Sequence, residues 1–206
     1  MEIRYAIAPC PLGRLLVAAT GRGVAAVYLG DSERQLRGEL EREFSAAQIR
    51  EHSKELKPAV RAIVEFLRNG RPLPDVPLDV RATAFQRRVW EELRQIPCGA
   101  TRSYGEIARA IGRPRAARAV ARACATNPAS ILIPCHRVVG KGGSLAGYRW
   151  GLDRKRALLA REGAAIQALG APAAPRRARK PRSHHRDQPA GAHVRTIRAK
   201  RFAEIR

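Results

Sequence analysis

Residues 131–138 read Ile131-Leu132-Ile133-Pro134-Cys135-His136-Arg137-Val138. Three apolar residues in a row, closed by a proline, predict a buried strand that ends at the edge of a core. A cysteine and a histidine directly beyond it put a thiol where a base or cation makes the nucleophilic thiolate available. The dipeptide alone has little specificity, because buried cysteines are common. Neighbours on a strand also point to opposite faces, so adjacency alone does not bring His136 onto Cys135, and a bridging water offers a route.

Downstream, residues 153–162 predict a helix that closes the domain and brings Glu162 near the end of the chain's ordered part. A carboxylate there is placed to orient His136 and fix its tautomer, as in a nucleophile–base–orienter relay. Upstream, the chain reads as helices. Thr83-Ala84-Phe85-Gln86 and Ser103-Tyr104-Gly105-Glu106 are capping boxes, each opening an apolar-periodic run. Gly112 stops the second helix, and Pro114 suits the first turn of a third that ends near Asn127-Pro128. Two short helices joined by a brief glycine-containing turn predict a helix-turn-helix. On its second helix Ala117, Val120, Ala121 and Cys124 fall on one face. Arg115, Arg118 and Arg122 fall on the other, with Ala116, Ala119 and Ala123 between them. Arginines on such a face grip phosphates while alanines permit close approach to a duplex.

The first third reads differently. Residues 3–8, 15–19 and 24–29 alternate as three short strands, with turns at Pro11-Leu12-Gly13 and Gly21-Arg22-Gly23. Residues 32–44 and 57–69 predict helices, the second stopped by Gly70. Pro72, Pro74 and Pro77 crowd a connector, and residues 78–81 predict a last strand before the boundary. The expected division is 1–80, 81–167 and a basic tail, 168–206, whose prolines and scarce large apolar residues predict disorder.

A formal charge of +22 makes a polyanion the leading partner. The residues from 171 onward carry +9 of it, leaving +13 on the rest, so the basic character is not confined to the tail. No stretch of about 18 apolar residues suggests a membrane span. No secretory signal is evident at the start, so the four cysteines are expected reduced, in a cytoplasmic protein.

The residues around Cys135 resemble the O6-alkylguanine-DNA alkyltransferases. The resemblance rests on Asn127-Pro128, the stretch from Ile131 to Val138, Gly147-Tyr148 and Leu158-Leu159-Ala160-Arg161-Glu162. It covers roughly residues 3 to 165. Gly147-Tyr148-Arg149-Trp150-Gly151 is most similar to the bacterial enzymes and to the alkyltransferase half of the adaptive-response Ada protein. It implies an α+β fold: a small ribonuclease H-like N-terminal domain of sheet plus helix, then a mainly helical C-terminal domain. It also implies binding of duplex DNA carrying alkylated bases from the minor groove, extrusion of the base, and irreversible transfer of its alkyl group to Cys135.

The roles implied for single residues follow the same resemblance. His136 would deprotonate Cys135 through water, Glu162 would orient His136, and Asn127 would hold the turn before the acceptor. Tyr104 would crowd the target phosphate, and Arg118 would fill the gap left by the base, with Arg115 and Arg122 on the DNA. Tyr148 would wall the base pocket, the backbone around Val138 and Arg149 would read the base edge, and Lys155 would lie near the site. Some relatives bind zinc in the N-terminal domain, whereas here only Cys10 and His52 occupy that region. No structural metal is therefore expected; the resemblance also implies no cofactor and no obligate protein partner, so the chain should act as a monomer.

Overall fold

The structure is a computed structural model that describes residues 1–73, 75–164 and the pair 195–196. The first part is an antiparallel meander of β1 (Glu2–Cys10), β2 (Gly13–Thr20) and β3 (Gly23–Gly30), turning where the sequence places glycine and proline. Helix α1 (Glu33–Glu43) starts at Ser32, whose side chain accepts from the Gln35 amide. A strand the sequence did not announce, β4 (Gln48–Glu51), then pairs parallel with β1 and gives the order β3-β2-β1-β4. It is a four-residue edge strand with only Ile49 even half-buried, so it carries no apolar alternation to read. Helix α2 (Ser53–Asn69) packs Leu56, Ile63, Phe66 and Leu67 inward and ends at Gly70 in the left-handed conformation.

The connector does not form the strand expected at 78–81. Leu78 makes one bridge to Val24, and a two-residue strand β5 (Arg81–Ala82) follows. The free edge of β3 is shared. Val24 donates to Pro77 O and accepts from Asp79 N at one end; Val27 donates to Pro128 O and accepts from Ser130 N at the other. A longer strand would collide with the second segment. Gly23 permits the first contact, since a Cβ there would lie 2.4 Å from Pro77 O. Asp79 turns away from the sheet edge to accept from Thr20 Oγ1 and Arg22 Nε.

The second part is mainly helical. Helix α3 (Ala84–Arg94) buries Val89, Trp90 and Leu93, and α4 (Tyr104–Ala110) follows the two-residue strand β6 (Arg102–Ser103). Both capping boxes are formed. Helix α5 (Ala117–Ala125) starts later than its arginine spacing suggested. Ala116 N donates to Arg113 O, which closes a β-turn with Pro114 at its second position. Proline therefore serves the turn rather than the helix, and Arg115 sits before α5 instead of on it. Ala123, expected between the two faces, is buried, and its carbonyl accepts from Trp90 Nε1 at 3.0 Å.

The apolar run at 131–133 is not a strand. Ile131 has φ 75°, and Ile133 N bonds back to Ala129 O, so the run is a buried turn. One turn of 3-10 helix (Cys135–Arg137) follows, then β7 (Val138–Val139), parallel to β6. Helix α6 (Leu152–Arg161) follows, with Glu162 as its C-cap. A continuous core runs from Ile3 through Trp90 to Leu158. Among the described residues no helix is long and apolar enough to cross a membrane. The disorder expected for the tail falls outside the described residues, apart from β8 (Arg195–Thr196), which pairs with β5.

Candidate active site and nucleic-acid interface

Cys135 lies at the first position of the 3-10 turn and is only 4% exposed. Asn127 holds the approach to it. Its Oδ1 accepts from Ala129 N at 3.0 Å, which fixes the amide orientation. Nδ2 then donates to Ile133 O at 2.8 Å and to Cys135 Sγ at 3.1 Å. One buried side chain thus ties the end of α5 to both sides of the turn. Ile131, in a conformation unfavourable for a β-branched residue, sits inside that clamp.

His136 is fully buried and Glu162 nearly so. Nε2 of His136 meets Glu162 Oε1 at 2.8 Å. Nδ1 is buried and has no hydrogen-bond partner among the described residues. Burial lowers the histidine's pKa, and the opposing carboxylate does not overcome it. The ring is therefore neutral at neutral pH, with Nε2–H given to Glu162 and Nδ1 left as the basic atom. The sequence reading missed Arg137. Its Nε and Nη2 grip the two oxygens of Glu162 at 2.8 and 2.9 Å, and Nη1 donates to Ile96 O at 2.6 Å. Burial alone would raise the Glu162 pKa; the bonds from His136 and Arg137 overrule it and hold it at about 2. Nothing in the spacing of Arg137 and Glu162 foretells this pair, because it depends on how α6 returns over the turn.

Burial also pushes the Cys135 thiol up, against the hydrogen bond from Asn127 and the nearby Lys155 ammonium. Lys155 is fully buried and donates to Val138 O at 2.6 Å, Ala146 O at 2.7 Å and Gly147 O at 3.4 Å. It fastens β7 to the 146–147 segment that leads to Tyr148. The Tyr148 hydroxyl is buried without a hydrogen bond of good geometry. Tyr104, at the start of α4, is half-buried, and burial takes its hydroxyl to about 12. The side chain of Arg149 donates to Glu43 of α1 at 2.7 Å.

Arg115, Arg118 and Arg122 form a different surface. All three are exposed, and none has an ion-pair partner among the described residues. From Arg94 to Leu152 the only carboxylate is Glu106, and its capping box with Ser103 engages it. Elsewhere most arginines meet acids, as Arg61 meets Glu65 and Arg42 meets Glu39. The helix-turn-helix is thus left with uncompensated positive charge, as an anion-binding face requires.

Two family models match the chain in sequence. The ribonuclease-like domain of 6-O-methylguanine DNA methyltransferase matches residues 3–80, and the DNA binding domain of that family matches residues 84–164. The bifunctional transcriptional activator/DNA repair enzyme Ada of Escherichia coli is 51% identical over 163 residues, 79% of this chain. This chain spans only 46% of that protein, about half the length of the curated relatives it matches at highest identity. The methylated-DNA–protein-cysteine methyltransferase of Methanosarcina acetivorans is 39% identical over 159 residues, 77% of this chain and 97% of the relative. The O6-methylguanine methyltransferase of Mycobacterium tuberculosis superposes with a TM-score of 0.67 at 36% identity, covering 82% of this chain and 97% of that one. The same protein has also been solved in complex with DNA. With a full-length relative matched at this identity, and both halves of the family present in order, the chain belongs to the methylated-DNA–protein-cysteine methyltransferase family.

Proposed function

We propose that this protein repairs DNA by moving an alkyl group from O6 of guanine, and secondarily from O4 of thymine, onto Cys135 Sγ. The observation that carries the reading is the buried array itself. A sulfur held by Asn127 lies one residue from a neutral histidine whose Nε2 is taken by Glu162 and whose Nδ1 is free. In the reaction the Cys135 thiol gives its proton, through a water, to His136 Nδ1. The thiolate attacks the alkyl carbon, an S–C bond forms, the C–O6 bond breaks, and the proton finally resides on the released guanine. The thioether has no built-in route back to the thiol, so each molecule acts once.

The raised thiol pKa suits a single-use acceptor. A buried, protonated sulfur reacts slowly with stray electrophiles and becomes nucleophilic only when the relay takes its proton. The target base must leave the stack to reach it. Arg115, Arg118 and Arg122 supply phosphate contacts, with Arg118 filling the space the base vacates and Tyr104 crowding the target phosphate. Tyr148 walls the pocket, and the backbone at Val138 and Arg149 faces the base edge. Lys155 braces that backbone. The parts 1–80 and 81–167 act together as a cytoplasmic monomer on duplex DNA, with no cofactor.

Intact-mass measurement after incubation with a duplex carrying one O6-methylguanine tests this. One methyl adduct per molecule, mapped to Cys135 and abolished in Cys135→Ala, is the expected result. Tight binding without an adduct would make the protein a lesion-binding module instead. Repeated release of alkylated product would make it a turnover enzyme.

A further inference from the structure

Arg149 and Trp150 follow the pocket residue Tyr148, yet both side chains point toward the N-terminal half. The Arg149 guanidinium carbon lies 4.7 Å from the Trp150 ring centroid and 5.0 Å from that of Tyr28 on β3. The two rings are themselves 5.0 Å apart. The outer edge of the guanidinium meets Glu43 at 2.7 Å and Glu39 at 3.6 Å, both on α1. Trp150 is anchored as well: its Nε1 donates to Ser130 Oγ at 2.6 Å, in the segment leading to the Ile131 turn. One arginine is thus held between two aromatic faces and two carboxylates, an arrangement that rewards a planar cation over a mobile one.

The geometry points to a latch through which the N-terminal half positions the base pocket. Glu43 and Glu39 hold Arg149, Arg149 holds Trp150 against Tyr28, and the pair sets the position of Tyr148 and of the Ser130 side of the acceptor turn. Arg149 and Glu43 are positioning residues: neither touches the sulfur. This inference rests on the proposed reaction, because Tyr148 matters only if a base enters beside it. The connection supplies a use for α1, which otherwise packs on β3.

Two measurements test it on the full chain. Hydrogen exchange followed by mass spectrometry reports the 144–152 peptide without any reaction. Single-turnover transfer from a saturating O6-methylguanine duplex reports alignment, and a separate titration reports DNA affinity. In Glu43→Gln, and more strongly in the Glu39→Gln/Glu43→Gln double variant, exchange in 144–152 should accelerate severalfold while α4 and α5 keep their protection. The limiting transfer rate should fall by about 5- to 10-fold, the range expected for losing a partly buried charged contact. DNA affinity should stay within about twofold, since Glu43 is no cation. Arg149→Lys should retain part of the rate by keeping the charge. Unchanged exchange and rate in the double variant would overturn the latch. Faster exchange across the whole chain would overturn it too, by making the contact a general brace. A parent protein that transfers no methyl group would defeat the proposed reaction, while the exchange data would still decide whether α1 holds the 144–152 segment.

Discussion

At the scale of single residues, the site is governed by which protons are allowed. Glu162 is held at about 2, against an ordinary carboxylate value of 4.5. A carboxylate with a depressed folded pKa contributes stability that is fully present above its unfolded value and is lost as pH falls through its folded one. Glu162→Gln should therefore lower the unfolding free energy at pH 7 by about 1–2 kcal/mol, since the neutral His136 ring contributes a hydrogen bond but no charge there. The gap to the parent should narrow from about pH 4.5 downward, as read by urea titrations at a series of pH values. His136 acts in the same direction at higher pH. Its lowered pKa means the unfolded chain takes a proton that the folded chain refuses, so stability begins to fall once pH drops below the usual histidine value of 6.5. A parent protein whose stability is flat from pH 7 to 5 would contradict the buried neutral imidazole. Asn127 offers a sharper residue-scale test. Asn127→Asp is nearly isosteric but turns a donor facing Ile133 O and Cys135 Sγ into an acceptor. It should cost more stability than Asn127→Ala, by roughly 1–3 kcal/mol for the repelled, unsatisfied buried group. It should also slow transfer by placing negative charge beside the developing thiolate. Equal losses in the two variants, by thermal unfolding and single-turnover assay, would mean that the amide merely fills space.

At the scale of elements, legibility follows how far a local signal fixes a local outcome. The β1–β3 meander, the two capping boxes and the α2 stop were readable because glycine, proline and capping side chains act within a few residues. The acceptor turn was not. Ile131-Leu132-Ile133 correctly announces burial, yet Ile131 adopts φ 75°, a region that its type rarely enters. That conformation is imposed by Asn127 and by the pairing of Val27 with Ala129, contacts that no local pattern encodes. The same difference applies around His136: its pairing with Glu162 was expected from the sequence and is present at 2.8 Å, whereas Arg137's grip on Glu162 depends on the return of α6. On the helix-turn-helix, Pro114 was read as a helix start because proline suits both a first turn and the second position of a β-turn; the Arg113–Ala116 bond decides for the turn. This relocates Arg115 but leaves it exposed and unpaired, so it still predicts a phosphate contact. Each of Arg115→Ala and Arg122→Ala should reduce the slope of log affinity against log salt by about 0.9. Arg118→Ala should in addition slow transfer at saturating DNA, since it is assigned to the space left by the extruded base. Slopes measured by anisotropy between low and physiological salt, unchanged in all three, would remove the DNA face from α5.

At the scale of the whole molecule, charge is distributed in a way that separates the exposed cationic face of the helix-turn-helix from the buried groups around Cys135. The N-terminal half pairs most of its arginines, as in Arg4–Glu55 and Arg14–Glu33, so its field is locally cancelled. The helix-turn-helix is left uncompensated, and residues 171–206 add 11 Lys/Arg against two acids. Cys135, by contrast, belongs to a continuous core that joins both halves, with His136 and the Glu162 side chain buried beside the same turn, screened from solvent salt. Affinity should therefore respond to ionic strength and to the tail, while the chemical step should respond to neither. Deleting residues 171–206 removes +9 of the +22. If even a third of the tail's cations meet phosphates, the salt slope should fall by about 3 units, at roughly 0.9 per contact. The deletion should weaken DNA binding most at low salt and least near physiological salt. Methyl transfer at saturating duplex should keep its rate, because no residue placed in the relay, the pocket or the latch lies beyond Glu162. An unchanged slope would make the tail a passive extension. A slower transfer step at saturation would mean that the tail reaches the active site itself.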